Sequence, residues 1–362
     1  MTVLINKVLL RCLFSCLICV GGGQGIEAAL AKTDSFSVDS ASSSYSEHLD
    51  GKLLSRRAQL QLHVNKFVRM GRVSDARGLV SLLIEPARSD QEKAWLIYRW
   101  VTGRVSYDLA SAAKLGDPRK HSLEDLMTVA HGACHLYAHL TNEMFLLAGL
   151  STKLVTGFVK SSGRISGRSG RVSHAWNVVR IDGQWKTVDA TWGAGYLSNT
   201  GFTRQQSDLF FFMPSTWVAL NYFDSKDTVG AQRRMGVKES LFDRLPDGSF
   251  YMSVLGFPVR EILSYAVKGD VFVETYALPD GGFKVLQAPL VRYVKSGSAQ
   301  YFHLESSRYE EVVAVQGDNW TFLQKANGRF STSLKPRVGE LLLMGRRKGQ
   351  DEFEALLGYS AR

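Results

Sequence analysis

The sequence predicts an α+β fold, in which a core of mixed helices and strands precedes an all-β, sandwich-like domain. Apolar residues recur at helical spacing through much of residues 53–148. Two strand-like runs then flank the dipeptide Asp182-Gly183, which is a strong signal for a two-residue hairpin turn. After about residue 250, short runs of Val, Phe, Tyr and Leu alternate with turn residues, a spacing typical of a sandwich.

The composition is that of an ordinary globular protein. Of the 362 residues, 45% are hydrophobic and 22% are charged, which excludes a disordered chain and a disulfide-stapled mini-protein. The chain is longer than one core usually fills, so we expect two domains. It carries 44 Lys and Arg against 34 Asp and Glu, and this net charge of +10 favours anionic surroundings or substrates without indicating a fold.

The first residues have the pattern of an export signal. Lys7 and Arg11 precede an apolar run at residues 13–20, and Ala29-Leu30-Ala31 provides a small-residue cleavage site. The run is too short to span a membrane, so we expect a cleaved signal peptide and a secreted or periplasmic protein. A lipoprotein signal ending at Cys16 is the alternative, and its lipobox is poor.

The remaining chain divides into segments that differ in composition and in the spacing of apolar residues. Apolar residues at helical spacing precede Pro86, and Ser89 with Glu92 forms a capping-box pair that predicts the start of a second helix. We therefore expect a signal peptide at 1–31, a Ser-rich tether at 32–51, a helical segment at 52–87, a core at 88–230 and a β-rich domain at 245–362.

Signal removal would leave Cys134 as the only cysteine of the chain. In an oxidising compartment, such a residue is a partner-seeking thiol, a reactive thiol or a small buried residue. Cys134 follows Gly132-Ala133 and begins an apolar helix that stops at Gly149. The free backbone N–H groups and the positive dipole end of a helix start favour a thiolate, and the same groups can stabilise an oxyanion.

The predicted hairpin gives a geometric expectation for two further residues. A turn at 182–183 places His174 opposite Thr191 and Asp189 opposite Trp176, with all four side chains on one face. His174 and Asp189 are then diagonal neighbours whose side chains can meet. The sequence thus predicts an imidazole with an orienting carboxylate, the partners that a nucleophilic thiol requires. Spacing alone does not bring the thiol to them.

Several blocks, in this order, resemble the transglutaminase-like superfamily, and the nearest branch is that of kyphoscoliosis peptidase-like proteins. They read GACHLYA at 132–138, SHAWN at 173–177, IDGQW at 181–185 and DATWGAGY at 189–196, preceded by KAWLIYRWV at 93–101. The resemblance covers about residues 88–225. It implies a papain-like α+β fold and a catalytic triad of Cys134, His174 and Asp189. Leu136 stands where the family usually has Gly.

These observations predict an exported, cysteine-dependent enzyme that acts on amide bonds of a protein or peptide substrate. Cys134 would form an acyl-enzyme, which is resolved by water in a peptidase or amidase and by an amine in a transglutaminase. The sequence does not choose between the two acceptors. The alternative is a non-catalytic surface binding or scaffolding protein with a vestigial core, whose C-terminal domain binds a partner. No metal or organic cofactor is expected.

Four further residues are candidates for substrate binding. Trp176 and Trp192 are candidates for lining a groove, although aromatic residues near a hairpin more often belong to a core. Arg168 and Arg171 lie in a basic loop at 161–171, which is either a flap for an anionic substrate or a solvated loop. No nucleic-acid-binding motif accompanies the loop, so we expect no nucleic-acid partner.

A histidine series gives a competing metal hypothesis. His131, His135 and His139 are spaced by four residues, and i, i+4 histidines are a known zinc-ligand pair. The sequence has no HExxH motif, and a solvated polar helix face explains the same spacing. We therefore predict no metal site.

Overall fold

The computed structural model describes residues 51–129, 131–160, 171–198, 201–245, 249–276 and 282–362. The described chain forms two compact units: a core unit of residues 51–159 and 171–237, and a C-terminal unit of Lys160 with residues 238–362. The predicted signal peptide and all but the last residue of the predicted tether lie outside the described residues, as does Arg168.

Several helices of the core unit begin where a side chain accepts a hydrogen bond from a free backbone N–H group. Ser89 caps α3 by accepting a hydrogen bond from Glu92 N at 3.2 Å, as the capping-box pair predicts. Asp75 caps α2 in the same way through Gly78 N. The helices are α1 Gly51–Val68, α2 Ala76–Ile84, α3 Asp90–Arg104, α4 Leu109–Leu115, α5 Leu123–Thr128, α6 Cys134–Leu147, α7 Ala190–Ala194, α8 Ser215–Asn221 and α9 Ala231–Met235.

A five-stranded sheet in the order β8-β5-β4-β3-β9 completes the core unit. Two short pairs, β1 with β2 and β6 with β7, lie beside it. The strands are β1 Ser106–Tyr107, β2 His131–Gly132, β3 Thr152–Lys160, β4 Arg171–Ile181, β5 Gln184–Val188, β6 Gly195–Ser198, β7 Gly201–Arg204, β8 Phe211–Met213 and β9 Tyr222–Phe223. The α+β fold class is therefore confirmed.

The hairpin of β4 and β5 has the predicted turn but a shorter second strand. Asp182 and Gly183 have φ values of 49° and 77°, as a type I′ turn requires. Paired residues run from Ile181–Gln184 to Asn177–Val188 in the predicted register. The expected pairing of His174 with Thr191 and of Trp176 with Asp189 is wrong, because β5 ends before Asp189 and the chain turns into α7.

Helix α6 packs on β4 in the centre of the unit. The Asn177 side-chain amide of β4 donates to the Ala138 carbonyl of α6 at 2.9 Å, and both groups are buried. Leu136, the departure from the family pattern, is 1% exposed. A Cβ on Gly132 would lie 2.5 Å from the Leu136 side chain, so the absence of a side chain at Gly132 makes room for this leucine.

We expect Gly157→Ala to lower the free energy of unfolding by roughly 1–3 kcal/mol. A Cβ at Gly157 would lie 2.2 Å from the Phe223 carbonyl oxygen and 2.8 Å from the Trp176 ring, and backbone of the adjacent strand yields little. Gly71→Ala is the matched control, since nothing lies within 4 Å of the position that its new methyl group would occupy. Thermal and urea unfolding of both variants measures the difference. Equal stability of the two variants would contradict the proposed close approach of β3 and β9.

The C-terminal unit begins with helices, although the sequence predicts a β-rich domain from residue 245. Residues 249–268 form two helices rather than β-structure, because Ile262 and Ala266 repeat at helical spacing and bury one face of the second helix. The helices are α10 Glu239–Arg244, α11 Ser249–Val254 and α12 Val259–Lys268. The first strand of the unit, β10, is Glu274–Thr275.

Two largely antiparallel sheets follow and face each other. Phe302 of one sheet meets Tyr359 of the other with ring centroids 5.5 Å apart, and Phe283 meets Tyr309 at 6.1 Å. This packing is that of a β-sandwich, as predicted. One sheet contains β10, β12 Tyr293–Val294, β14 Tyr309–Gln316, β15 Asn319–Phe322, β18 Gly339–Arg347 and β19 Phe353–Ala361. The other contains β11 Phe283–Gln287, β13 Gln300–Ser306, β16 Gln324–Ala326 and β17 Arg329–Leu334.

Within the described ranges, no helix combines the length and apolar character that a bilayer crossing requires.

Candidate active site

His174 and Asp189 meet at the end of the hairpin. His174 lies on β4 and is 5% exposed, and Asp189 lies one residue beyond β5 and is fully buried. The His174 Nε2 atom is 2.7 Å from Asp189 Oδ2. His174 and Asp189 therefore meet as the sequence predicts, although Asp189 lies beyond the last residue pair of the hairpin and not within it.

Four groups surround the Asp189 carboxylate. Its Oδ1 atom accepts hydrogen bonds from Thr191 N at 2.9 Å and from Trp192 N at 3.1 Å, which caps α7. Its Oδ2 atom contacts His174 and also accepts a hydrogen bond from the Tyr222 hydroxyl at 2.9 Å. These contacts hold the carboxylate in one orientation and stabilise its negative charge.

Tyr222 is a site residue that sequence reasoning missed. It lies on β9, 33 residues beyond Asp189, and is 0% exposed. No local spacing rule connects these positions, because β9 reaches the site through its pairing with β3 at the far side of the sheet.

The environment of His174 favours its protonated form. Burial alone would lower the pKa of His174. The charge and the hydrogen bond of Asp189 raise this pKa by more than burial lowers it, and the hydrogen bond and charge of Cys134 raise it further. The resulting pKa of His174 is about 10, against the ordinary 6.5. Since Nε2 is directed at Asp189, Nδ1 is the ring nitrogen left for the thiol.

Cys134 begins α6, as expected from the sequence, and is 8% exposed. Its side chain packs with Ala138 one turn along and with Ala175 beside His174. Ala133 at the N-cap has no side-chain acceptor, so no side chain caps the first turn of this helix. The thiol therefore lies at an uncapped helix start next to the His174–Asp189 pair.

Two imidazoles are near the thiol. The Cys134 Sγ atom is 3.6 Å from His135 Nδ1, and the Cys134 side chain also packs against Ala175, the chain neighbour of His174. We regard His174 as the partner of the thiol, because it alone is oriented by a buried carboxylate. His135, in contrast, is exposed.

The candidate substrate-binding residues have different environments. Trp176 is 2% exposed and stacks on His174 at 6.1 Å between ring centroids, so it belongs to the core behind the imidazole. Trp192 is half-buried and lies 5.8 Å from the same ring. Arg171 is the first residue of β4 rather than part of a loop.

The histidine series is not one helical face. His131 lies on β2, whereas His135 and His139 lie on α6. In the described part of the chain, no group of three or more His, Cys, Asp or Glu side chains is arranged to hold a metal ion.

We expect Tyr222→Phe to lower the free energy of unfolding by about 1.5–3 kcal/mol, since it removes a buried hydrogen bond to a charged acceptor. Tyr137→Phe is the matched control, because the Tyr137 hydroxyl donates at 2.6 Å to the neutral Val105 carbonyl and should be worth only about 1 kcal/mol. Urea unfolding of both variants measures the two losses. A smaller loss for Tyr222→Phe than for Tyr137→Phe would show that the hydroxyl does not stabilise Asp189.

Part of the core unit is similar to known proteins. Residues 77–190, which include Cys134, His174 and Asp189, match the family model of the transglutaminase-like superfamily. The chain is 32% identical over 154 residues to kyphoscoliosis peptidase of Homo sapiens, a match that covers 41% of this chain and 23% of that protein. It is 27% identical over 187 residues to the Lim and transglutaminase domain protein ltd-1 of Caenorhabditis elegans, covering 48% and 25%.

The chain thus spans about a quarter of the length of these curated relatives. Among solved structures, this chain is similar to the periplasmic domain of TgpA from Pseudomonas aeruginosa, with 17% sequence identity and a TM-score of 0.27. The match covers 37% of this chain and 48% of the TgpA chain.

Proposed function

We propose, from the premise that residues 77–190 form a transglutaminase-like core, that this protein is a cysteine-dependent enzyme acting on amide bonds of a protein or peptide substrate. Cys134 is the nucleophile, His174 transfers protons and Asp189 orients the imidazole. The observation that carries the proposal is the 2.7 Å contact between His174 Nε2 and the buried Asp189 carboxylate beside the thiol. Three further hydrogen bonds, from Thr191 N, Trp192 N and the Tyr222 hydroxyl, hold this carboxylate in place. A scaffold has no physical need for this arrangement.

The proposed first step forms a thioester. The Cys134 sulfur, as a thiolate paired with protonated His174, attacks the carbonyl carbon of the amide. The free N–H groups at the start of α6 stabilise the negative oxygen that develops on the carbonyl. The imidazolium then gives its proton to the departing amine, and the carbon–nitrogen bond breaks.

The proposed second step releases the acyl group. His174 takes a proton from water or from a primary amine as that molecule attacks the thioester, and the carbon–sulfur bond breaks to restore the thiolate. Water gives hydrolysis and an amine gives a new amide bond. Incubating a glutamine-containing peptide with a fluorescent primary amine, and following both products by mass spectrometry, distinguishes the two acceptors.

The reactivity of Cys134 tests the proposal. We expect iodoacetamide to alkylate Cys134 of the folded chain at neutral pH, and His174→Ala to slow this alkylation at least tenfold because the thiolate loses its counter-ion. Cys134→Ala is the control that identifies the labelled residue, and His139→Ala is a matched histidine control on the same helix as the thiol. Alkylation unchanged by His174→Ala would contradict the proposal and favour a binding protein.

We propose further that the chain is exported. This rests on the basic and apolar pattern of residues 1–31. N-terminal sequencing of the protein recovered from its natural source tests it, and an uncleaved Met1 in the mature protein would contradict it.

A further inference from the structure

A groove of about 440 Å³ lies beside the first turns of α6 in the core unit. Ala133 and His135, the chain neighbours of Cys134, both line it, and His135 Nδ1 is 3.6 Å from the Cys134 sulfur. We call this feature the α6 groove. It adjoins the residue proposed as the nucleophile.

The α6 groove has hydrogen-bond donors on two walls. His135 and His139 are one helical turn apart, so both imidazoles face it from α6. Arg119 lines it from the other wall, where its Nε and Nη2 atoms donate to Asp117 at 2.9 and 2.7 Å. No described residue accepts a hydrogen bond from Arg119 Nη1, so one edge of an oriented guanidinium remains available.

The charge around the groove is positive. Arg119 and the acid Asp117 line the groove, and Lys114 and Lys120 lie next to lining residues in the chain without lining it themselves. The Arg119 hydrogen bonds hold the pKa of Asp117 well below its usual range, so this acid stays ionised and remains engaged with Arg119. An excess of cations near a pocket favours an anionic occupant.

The rest of the lining is apolar apart from Thr156. Leucine and proline side chains cover the surface between the two polar walls, namely Leu115, Pro118, Leu136 and Leu154. A glutamate side chain matches this combination, since two methylene groups can lie on the apolar surface while the carboxylate reaches the donors. A neutral glutamine has the same shape and lacks the charge.

We infer that the α6 groove is a subsite for an acidic residue, glutamate in particular, next to the reacting amide of a peptide substrate. Arg119 binds its carboxylate and His139 provides a second donor. The inference rests on the proposed function in taking Cys134 as the reacting residue. Arg119 and His139 are therefore specificity residues, which act on substrate affinity rather than on the thiol.

Peptide binding to Cys134→Ala protein tests the inference without any chemistry. The probes are a fluorescein-labelled peptide with a central glutamine flanked on both sides by glutamate, and the same peptide with both glutamates replaced by glutamine. By fluorescence anisotropy we expect the first to bind about tenfold more tightly, the effect of one charge-assisted hydrogen bond. Added salt should reduce the preference.

Three further substitutions in the Cys134→Ala protein test whether the preference for the glutamate peptide comes from the α6 groove. Arg119→Gln and His139→Gln should each reduce it, whereas Arg77→Gln, at an exposed arginine of α2 outside the groove, should leave it unchanged. Circular dichroism confirms folding. Equal affinity of the two peptides, no binding of either, or a preference that survives both groove variants would overturn the inference.

The two experiments distinguish a failure of the proposed enzyme activity from a failure of the proposed acidic subsite. His174-dependent alkylation of Cys134 together with equal peptide affinities would leave the enzyme and remove the acidic subsite. A glutamate preference that depends on Arg119, in a protein whose Cys134 is unaffected by His174→Ala, would leave the subsite and remove the enzyme.

Discussion

Replacing Asp189 with alanine is expected to lower the free energy of unfolding by roughly 3–5 kcal/mol. The substitution leaves His174 buried without its counter-ion and removes the side-chain cap of α7, which alone is worth about 0.5–2 kcal/mol. It also leaves the Tyr222 hydroxyl without the Asp189 acceptor. Urea unfolding of the full chain, followed by tryptophan fluorescence, measures the loss.

Asp189→Asn separates the effect of the Asp189 side-chain shape from the effect of its negative charge. Asparagine keeps a carbonyl oxygen that can still cap Thr191 and Trp192, while it removes the negative charge beside His174. We expect it to retain more stability than the alanine variant and still to slow alkylation of Cys134. If Asp189→Ala were as stable as the parent protein, the carboxylate could not be the buried centre that the structure indicates.

The free energy of unfolding is expected to fall by on the order of 3 kcal/mol between pH 7 and pH 10 through His174 alone. Its pKa is about 10 in the folded chain against an ordinary 6.5, so folding favours the protonated ring. That contribution is fully present below about pH 6.5 and is lost as the pH rises through about 10. Urea unfolding across this pH range measures it.

His174→Gln is the control, because lysine and tyrosine residues also titrate at high pH. The difference in stability between the parent protein and His174→Gln should shrink as the pH rises toward 10. A difference that stays constant or grows over this range would mean that the ring is neutral in the folded chain.

Local signals in the sequence were sufficient for the parts of the fold that depend on near neighbours. The turn at Asp182-Gly183 fixed the register of β4 and β5, because few other residues tolerate its left-handed backbone. The Ser89 cap and the helix start at Cys134 depend on groups within one turn of chain. The same local signals did not reveal the helices at residues 249–268 within the predicted β-rich domain, because short apolar runs fit a strand or a helix equally well.

Distant contacts decided the rest of the site. The backbone N–H of Asp189 donates to the Phe210 carbonyl at 2.9 Å, and this bond lies beyond the end of β5, where the chain turns into α7. Tyr222 reaches Asp189 across the sheet, and Trp176 became part of the core because a neighbouring strand covers it. None of these contacts can be predicted from the spacing of residues along the sequence.

The amino-acid sequence by itself determined which side chains are candidates for the proposed chemistry, since Cys134, His174 and Asp189 stand out by residue type and by their positions at a helix start and a hairpin. Only the tertiary structure decided how these groups are held, buried and charged. The physical reason is that turns and caps depend on hydrogen bonds between near neighbours. Burial and a shifted pKa depend on every charge and side chain that folding brings close.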